Sequence, residues 1–161
     1  MDWEEIEKSM IEQLRLVLGT EPTTVSRCED VKAELKGRPV LYVIRIDDKK
    51  EAEAAALKAY AEYVDKREDL HGGKVQKIYF NNSKANSVFY VGMSLDIKNR
   101  LRRHLTKAGT STTSLRLYDW GKGFNFCADI YAFPNECKSV LPAIEKAVQE
   151  HLKPAVGWGN R

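Results

Sequence analysis

The 161-residue sequence lacks the motifs of several common enzyme classes. It contains no G-x-G-x-x-G or G-x-x-x-x-G-K-[ST], the glycine-rich patterns that bind nucleotide phosphates, and no H-E-x-x-H or G-x-S-x-G. Its three histidines, His71, His104 and His151, lie far apart and show no metal-ligand spacing. These absences argue against dinucleotide, P-loop, zinc-hydrolase and serine-hydrolase chemistry.

Cysteines and long apolar runs are also scarce. Cys28, Cys127 and Cys137 are odd in number and form no C-x-x-C pair, which argues against a disulfide framework or a zinc ribbon. No apolar run approaches the roughly 20 residues of a membrane span. The start, "MDWEEIEKSMIEQLRLVLG", is acidic and amphipathic, unlike a secretory signal. We therefore expect a cytoplasmic protein with no membrane partner.

Charge is distributed unevenly along the chain. Residues 1–70 carry 12 basic and 17 acidic side chains, whereas residues 71–161 carry 14 basic and 6 acidic ones. The net charge of +3 therefore hides a strongly basic second half. Such a distribution fits a protein that presents one face to a polyanion.

The first half of the chain shows helical and strand-like patterns. Apolar residues at steps of three and four predict a helix over residues 2–18, and "TTVSRCEDVKAELKG" suggests a short second helix ending at Gly37. The run "RPVLYVIRI" (38–46) is typical of a strand. The Ala-, Glu- and Lys-rich segment after it predicts a long helix with Asp47 or Asp48 as its N-cap.

The second half mixes short strands with helices. "KVQKIYF" and "SVFYVG" read as a strand pair around the turn "NNSKAN", and a basic helix capped by Ser94 follows. "LRLYDWGKG" suggests one helical turn, "FNFCADIYAF" a strand and "SVLPAIEKAVQEHL" a helix. The order predicts a single α+β domain over residues 1–161, in which helices flank a small antiparallel sheet of three to four strands.

An ordered set of polar residues runs through these elements. "VLYV" precedes "YVG", an arginine lies ten residues after the tyrosine of "YVG", and a histidine lies four further on. A glutamate on the last helix stands nine residues before Pro154, and an asparagine closes the set. In chain order the residues are Tyr42, Tyr90, Arg100, His104, Glu145 and Asn160. This arrangement resembles the GIY-YIG nuclease domain.

The resemblance implies a metal-dependent endonuclease that hydrolyses DNA, with double-stranded DNA as the expected substrate. It implies Mg²⁺ as the cofactor, with Mn²⁺ as a substitute. By analogy, Tyr42 is the expected general base, and Tyr90 positions water or shares the proton. Arg100 and His104 are expected to bind the scissile phosphate. Glu145 is expected to hold the metal, and Asn160 to support the site.

The chemistry of these residue types suits phosphodiester hydrolysis. A free tyrosine titrates near pH ~10, so a tyrosine base needs nearby positive charge. The planar fork of an arginine gives two parallel hydrogen bonds to a phosphate. A carboxylate such as that of Glu145 is a hard oxygen ligand of the kind that Mg²⁺ prefers. The remaining basic residues near the second tyrosine are expected to contact nucleic acid without catalysing: Lys98, Arg102, Arg103 and Lys107.

The chain departs from the family pattern in several places. Met93 stands where members often have lysine, the glycine before Tyr42 is replaced by Val40 or Leu41, and Asn160 lies fifteen residues after the glutamate instead of twelve. Residues 1–37 form a helical extension, and residues 47–73 form a helical insertion. We expect these additions to provide DNA contacts or a subunit interface, the latter making a homodimer.

Two rival interpretations remain open at the level of sequence. One is a catalytically degenerate nucleic-acid-binding module of the same fold, which Met93 and the missing glycine favour. The other is an interaction domain whose partner covers the amphipathic N-terminal helix. The first binds DNA without cutting it, and the second shows no salt-dependent DNA binding.

Overall fold

The computed structural model describes residues 2–70, 79–80, 86–107 and 114–157. Within these ranges the helices are α1 (Trp3–Leu18), α2 (Lys50–Leu70), α3 (Ile97–Leu105), α4 (Leu117–Trp120) and α5 (Leu141–Leu152). The strands are β1 (Thr23–Val25), β2 (Val40–Ile46), β3 (Tyr79–Phe80), β4 (Val88–Ser94), β5 (Phe126–Ala132) and β6 (Val156–Gly157). The α+β class predicted from the sequence is confirmed.

The main sheet is antiparallel, with the strand order β1-β5-β2-β4. The central strand β2 has almost only apolar residues because both of its faces are covered. One face packs against a cluster that includes residues of α2, α3 and α4, and the other packs against α5. Across the β2–β4 pair, Tyr42 lies opposite Gly92.

A β-bulge in β4 changes which side chains face each layer. Ile44 pairs with Tyr90 and Arg45 pairs with Val88, so Phe89 is the extra residue. Both Phe89 and Tyr90 are therefore buried in the layer that contains α2 and α3. Phe89 packs in an aromatic cluster with Tyr60 of the insertion helix, Trp120, Phe126 and their neighbours, at ring-centroid distances of 5.1 to 5.8 Å.

The C-terminal part of α5 is fastened to the beginning of β4, which is an edge strand. The backbone N–H of Ala155 donates to the carbonyl of Val88 at 3.0 Å. The side chain of Asn86 donates to the carbonyls of Leu152 and Lys153 at 3.0 and 2.8 Å. The two Asn86 bonds satisfy carbonyls at the C-terminus of the helix, and together with the Ala155 bond they fix how α5 lies along the edge of the sheet.

Three sequence-based expectations were wrong in detail. The predicted second helix is instead β1 followed by short 3₁₀ turns at Cys28–Asp30 and Ala33–Leu35, because the β-branched run of β1 pairs with β5. The N-cap of α3 is Asp96, whose carboxylate accepts from the N–H of Asn99, while Ser94 accepts from the N–H of Asp96.

The third expectation that was wrong is the pairing of "KVQKIYF" with "SVFYVG". The described part of the first run, Tyr79–Phe80, pairs with β6 in a separate two-stranded sheet. Most of the predicted turn "NNSKAN" lies outside the described residues. So do the side chains of several apolar residues of the helix predicted over residues 2–18: Trp3, Ile6, Met10 and Val17.

In the described part of the chain, no helix is both long and apolar enough to cross a lipid bilayer.

A glycine is required at residue 92 because the rings of Tyr42 and Tyr90 lie too close to its backbone to leave room for a Cβ atom. Its backbone conformation does not require a glycine. A Cβ atom at residue 92 would lie 2.6 Å from Cζ of Tyr42, still closer to its hydroxyl oxygen, and 2.9 Å from Cε1 of Tyr90. We expect Gly92→Ala to lower the free energy of unfolding by about 2–3 kcal/mol, because both buried rings must shift. Urea unfolding measures the change. In a Tyr42→Leu background the same substitution should cost much less, and equal costs in the two backgrounds would contradict the clash.

Candidate active site

The Tyr42 hydroxyl lies at the meeting point of two side chains from α3. Nε of Arg100 donates to it at 3.0 Å, and Nε2 of His104 lies 2.9 Å from it. Arg100 and His104 are four residues apart, so one face of the helix presents both to the tyrosine. Tyr42 projects toward α3 because residues 40, 42, 44 and 46 of β2 face that layer.

The tautomer of His104 follows from its second hydrogen bond. The backbone N–H of Leu115 donates to Nδ1 at 2.9 Å, so Nδ1 is an acceptor. Burial lowers the pKa of His104 well below its usual value, and the charge of Arg100 acts in the same direction. A neutral ring with Nδ1 as acceptor carries its proton on Nε2, which therefore donates to Tyr42.

The turn that supplies the Leu115 amide is itself held in place. Nε1 of Trp120 donates to the carbonyl of Leu115 at 2.8 Å. Arg116 has a left-handed backbone, with φ 53° and ψ 48°, and its guanidinium pairs with Asp119 at 2.8 Å. Asp119 also accepts a hydrogen bond from the hydroxyl of Tyr63 in α2, at 3.1 Å. The inserted helix thus helps to fix the backbone that orients His104.

The Tyr42 oxygen accepts from two donors but remains protonated in the isolated protein. Burial raises the pKa of Tyr42 well above its usual value, and the neighbouring Tyr90 raises it further. The charge and hydrogen bond of Arg100 lower the pKa, and the charge of Glu145 raises it. The site therefore holds a neutral phenol whose ionised form already has two donors in position.

Tyr90 is joined to Tyr42 through the same guanidinium. Nη2 of Arg100 lies 3.4 Å from the Tyr90 hydroxyl, and the two phenol rings have centroids 6.1 Å apart. Arg100 therefore bridges two buried tyrosines that come from neighbouring strands. The sequence predicted that these residues lie together, and the structure brings them together with His104.

Glu145 places a half-buried carboxyl group in the field of Arg100. Burial raises the pKa of Glu145 to about 7, and the charge of Arg100 opposes the increase. Its Oε1 accepts from Nε2 of Gln149 at 3.3 Å, and the same nitrogen donates to the carbonyl of Val91 at 3.1 Å. The carboxylate of α5 is thereby held beside the backbone of β4 at Val91.

Glu145 is a carboxylate of the kind that can hold a divalent cation in an open site. Within the described ranges, no group of three or more His, Cys, Asp or Glu side chains could enclose a metal ion. Mg²⁺ does not require such a cage, because it keeps several waters and needs only one or two protein carboxylates. Burial raises the pKa of Glu145, and a cation bound beside it would favour the charged form.

The other predicted residues are distributed differently. The side chains predicted to bind nucleic acid are all exposed on the outer side of α3 and at its end: Lys98, Arg102, Arg103 and Lys107. Met93 packs against the cluster that α5 covers, on the face of the sheet away from Tyr42. Asn160 lies outside the described residues.

Two groups at the site were not predicted from the sequence. Gln149 lies four residues after Glu145, which puts both side chains on one face of α5. This spacing could have indicated that Gln149 contacts the carboxylate. The Leu115 amide carries no sequence signal, since any residue other than proline supplies a backbone N–H.

A comparison with protein families gives an independent result. A family model described as the GIY-YIG catalytic domain matches residues 76–158, just over half of the chain. The matched range includes β4, α3 and α5, whereas β2 with Tyr42 lies before it. No curated protein and no solved structure matches the chain. The chain belongs to the GIY-YIG nuclease family.

Proposed function

We propose that the protein is a divalent-metal-dependent endonuclease that hydrolyses DNA phosphodiester bonds, with Tyr42 as its general base. The observation that carries this proposal is the double hydrogen bond to the Tyr42 oxygen from Arg100 and His104. A structural tyrosine needs one partner for its hydroxyl, whereas two donors on one phenol oxygen specifically favour the phenolate.

In this scheme Tyr42 first loses its phenol proton to solvent and then acts as a phenolate. Its Oη takes one proton from the attacking water, the water oxygen bonds to phosphorus, and the bond from phosphorus to the leaving oxygen breaks. The leaving oxygen is protonated from solvent. Arg100 and His104 keep the phenolate stable before the proton arrives, so the two donors lower the cost of forming the base.

His104 thus has a different role from the phosphate contact expected by analogy. Both of its ring nitrogens are engaged by protein groups, and the side chain is fully buried. Binding a phosphate would require breaking one of these bonds. We therefore assign phosphate binding to Arg100, whose guanidinium already orients both tyrosine hydroxyls.

Glu145 is the residue that would hold the metal, Mg²⁺ in our proposal with Mn²⁺ as a substitute. When bound, the ion supplies positive charge to the phosphate oxygens and to the phenolate. Gln149 and Arg100 orient and compensate the carboxylate in the absence of the ion. The exposed basic side chains of α3 suit contacts with the DNA backbone, which are nonspecific and weaken as salt rises.

The first prediction concerns cleavage of supercoiled plasmid in Mg²⁺. Glu145→Gln and Arg100→Met should each lower the cleavage rate at least about 10²-fold, because each removes charge that stabilises the reacting groups. Glu150→Gln, at an exposed position of the same helix, should cut at the wild-type rate. Urea unfolding of each variant controls for folding, because Arg100→Met also removes the proposed phosphate ligand and should weaken DNA binding in a gel shift.

Each alternative gives a distinct result in that experiment. A wild-type protein that binds plasmid but cuts in neither Mg²⁺ nor Mn²⁺ would identify the degenerate binding module. A protein with no salt-dependent DNA binding would leave only the interaction domain.

The second prediction separates the two roles of His104. His104→Phe should lower the cleavage rate about 10–10²-fold, in the range of a lost donor, and leave DNA affinity in EDTA unchanged. A phosphate ligand would instead lose affinity. In a Tyr42→Phe background the same substitution should have little further effect, because the two residues act as one unit. An additive loss would contradict the assignment.

The third prediction concerns pH and stability in EDTA. The pKa of Glu145 is about 7 in the folded chain against 4.5 unperturbed, so the folded state binds the extra proton. Wild-type stability relative to Glu145→Gln should therefore fall as pH rises from about 4.5 to about 7. Above that range Glu145→Gln should be more stable by about 1–2 kcal/mol, after allowing for partial exposure. Urea unfolding at about pH 5 and about pH 8 measures this, and equal differences would refute it.

A further inference from the structure

Gln149 is a buried polar side chain with two contacts in different directions. It is 7% exposed, although it lies on a helix with exposed neighbours at Lys146 and Glu150. Its amide nitrogen donates to the carbonyl of Val91 at 3.1 Å and to Oε1 of Glu145 at 3.3 Å. An amide NH₂ group has two hydrogens, and these two bonds use both.

The two acceptors belong to the two parts of the site that must be aligned. Val91 is on the edge strand β4, directly before the glycine that lies under Tyr42. Glu145 is on α5, which has no backbone hydrogen-bond ladder to the sheet. Gln149 therefore links the Glu145 carboxylate to β4, the strand against which the Tyr42 ring also packs.

Helix packing alone leaves the Glu145 side chain free to rotate. The bonds from Ala155 and Asn86 fix the far end of α5 to the start of β4, some two turns away. Apolar contacts of Ile144 and Val148 hold the part of α5 around Glu145 against the sheet. These contacts do not determine the direction of the Glu145 carboxylate. The bond from Gln149 supplies that direction.

We propose that Gln149 is a positioning residue that holds the Glu145 carboxylate for a divalent cation. The proposal rests on the metal-dependent function proposed above. Groups that hydrogen-bond a metal-ligating carboxylate commonly change metal affinity or activity by about 10–100-fold when removed. A residue that only satisfied the Val91 carbonyl would change stability and leave the metal requirement unchanged.

Binding of Tb³⁺ tests the proposal without DNA or cleavage. Tb³⁺ is a hard cation that binds carboxylate oxygen, and its emission is sensitised by nearby excited tyrosines such as Tyr42 and Tyr90. We expect the wild type to show saturable sensitised emission and Glu145→Ala to lose it. Gln149→Met should raise the half-saturating Tb³⁺ concentration about tenfold. Glu150→Gln is the matched control on the same helix and should titrate like the wild type.

The midpoint of the titration, read together with the folded fraction of each variant, separates positioning from loss of folded protein. Irreversibly misfolded protein reduces the emission amplitude and leaves the midpoint unchanged, whereas reversible unfolding raises the midpoint by the reciprocal of the folded fraction, which urea unfolding measures. Gln149→Asn provides a second variant, since it keeps an amide but is one methylene too short to reach both acceptors. We expect its midpoint to shift in the same direction. The half-saturating Mg²⁺ concentration in plasmid cleavage should rise with it, by about tenfold for Gln149→Met.

The outcomes distinguish this proposal from the proposed function. Shifted midpoints for the Gln149 variants in a protein that does not cut DNA would support the positioning role and refute the nuclease mechanism. Unchanged Tb³⁺ and Mg²⁺ midpoints in a protein that cuts would overturn the positioning role alone. A wild type without Glu145-dependent emission would overturn the cation site and the role of Gln149 together.

Discussion

The contact between the Tyr42 ring and the backbone at Gly92 determines the rest of the site. Only a residue without a Cβ allows the ring to lie over β4, and only there can its hydroxyl meet both Arg100 and His104. The antiparallel register makes this possible by placing residue 42 opposite residue 92. The glycine at residue 92 of the edge strand β4 thus sets the geometry of side chains from β2, β4 and α3.

Helix α2 packs behind the site. Tyr60 anchors it to the aromatic cluster around the bulged residue Phe89, and Tyr63 reaches Asp119. The turn stabilised in this way presents the Leu115 amide to His104 and so fixes which ring nitrogen carries the proton. Helix α2 therefore contributes to the core, and its role as an insertion that contacts DNA or a second subunit stays a prediction.

Local periodicity was sufficient to predict the main strands and the α+β class. The tyrosines, the arginine and the histidine were predicted through the resemblance to the GIY-YIG domain. Prediction failed for residues 23–37, where the strand β1 forms only because β5 offers it a partner. It also missed the Leu115 amide and the direction of Gln149, which depend on how distant segments pack. The resemblance identified the participants, whereas tertiary contacts decide what each one does.

The pKa shifts at the site favour the neutral forms of Tyr42 and His104 in the free protein. Arg100 carries one positive charge, and three acidic groups lie in its field: the phenols of Tyr42 and Tyr90 and the carboxyl of Glu145. His104 adds a donor but no charge, because its pKa is lowered. One cation cannot stabilise three buried anions, so Tyr42 stays protonated and Glu145 titrates near neutrality. In the proposed mechanism, positive charge at Glu145 would remove the repulsion that this carboxylate exerts on the Tyr42 phenolate and would so favour formation of the base.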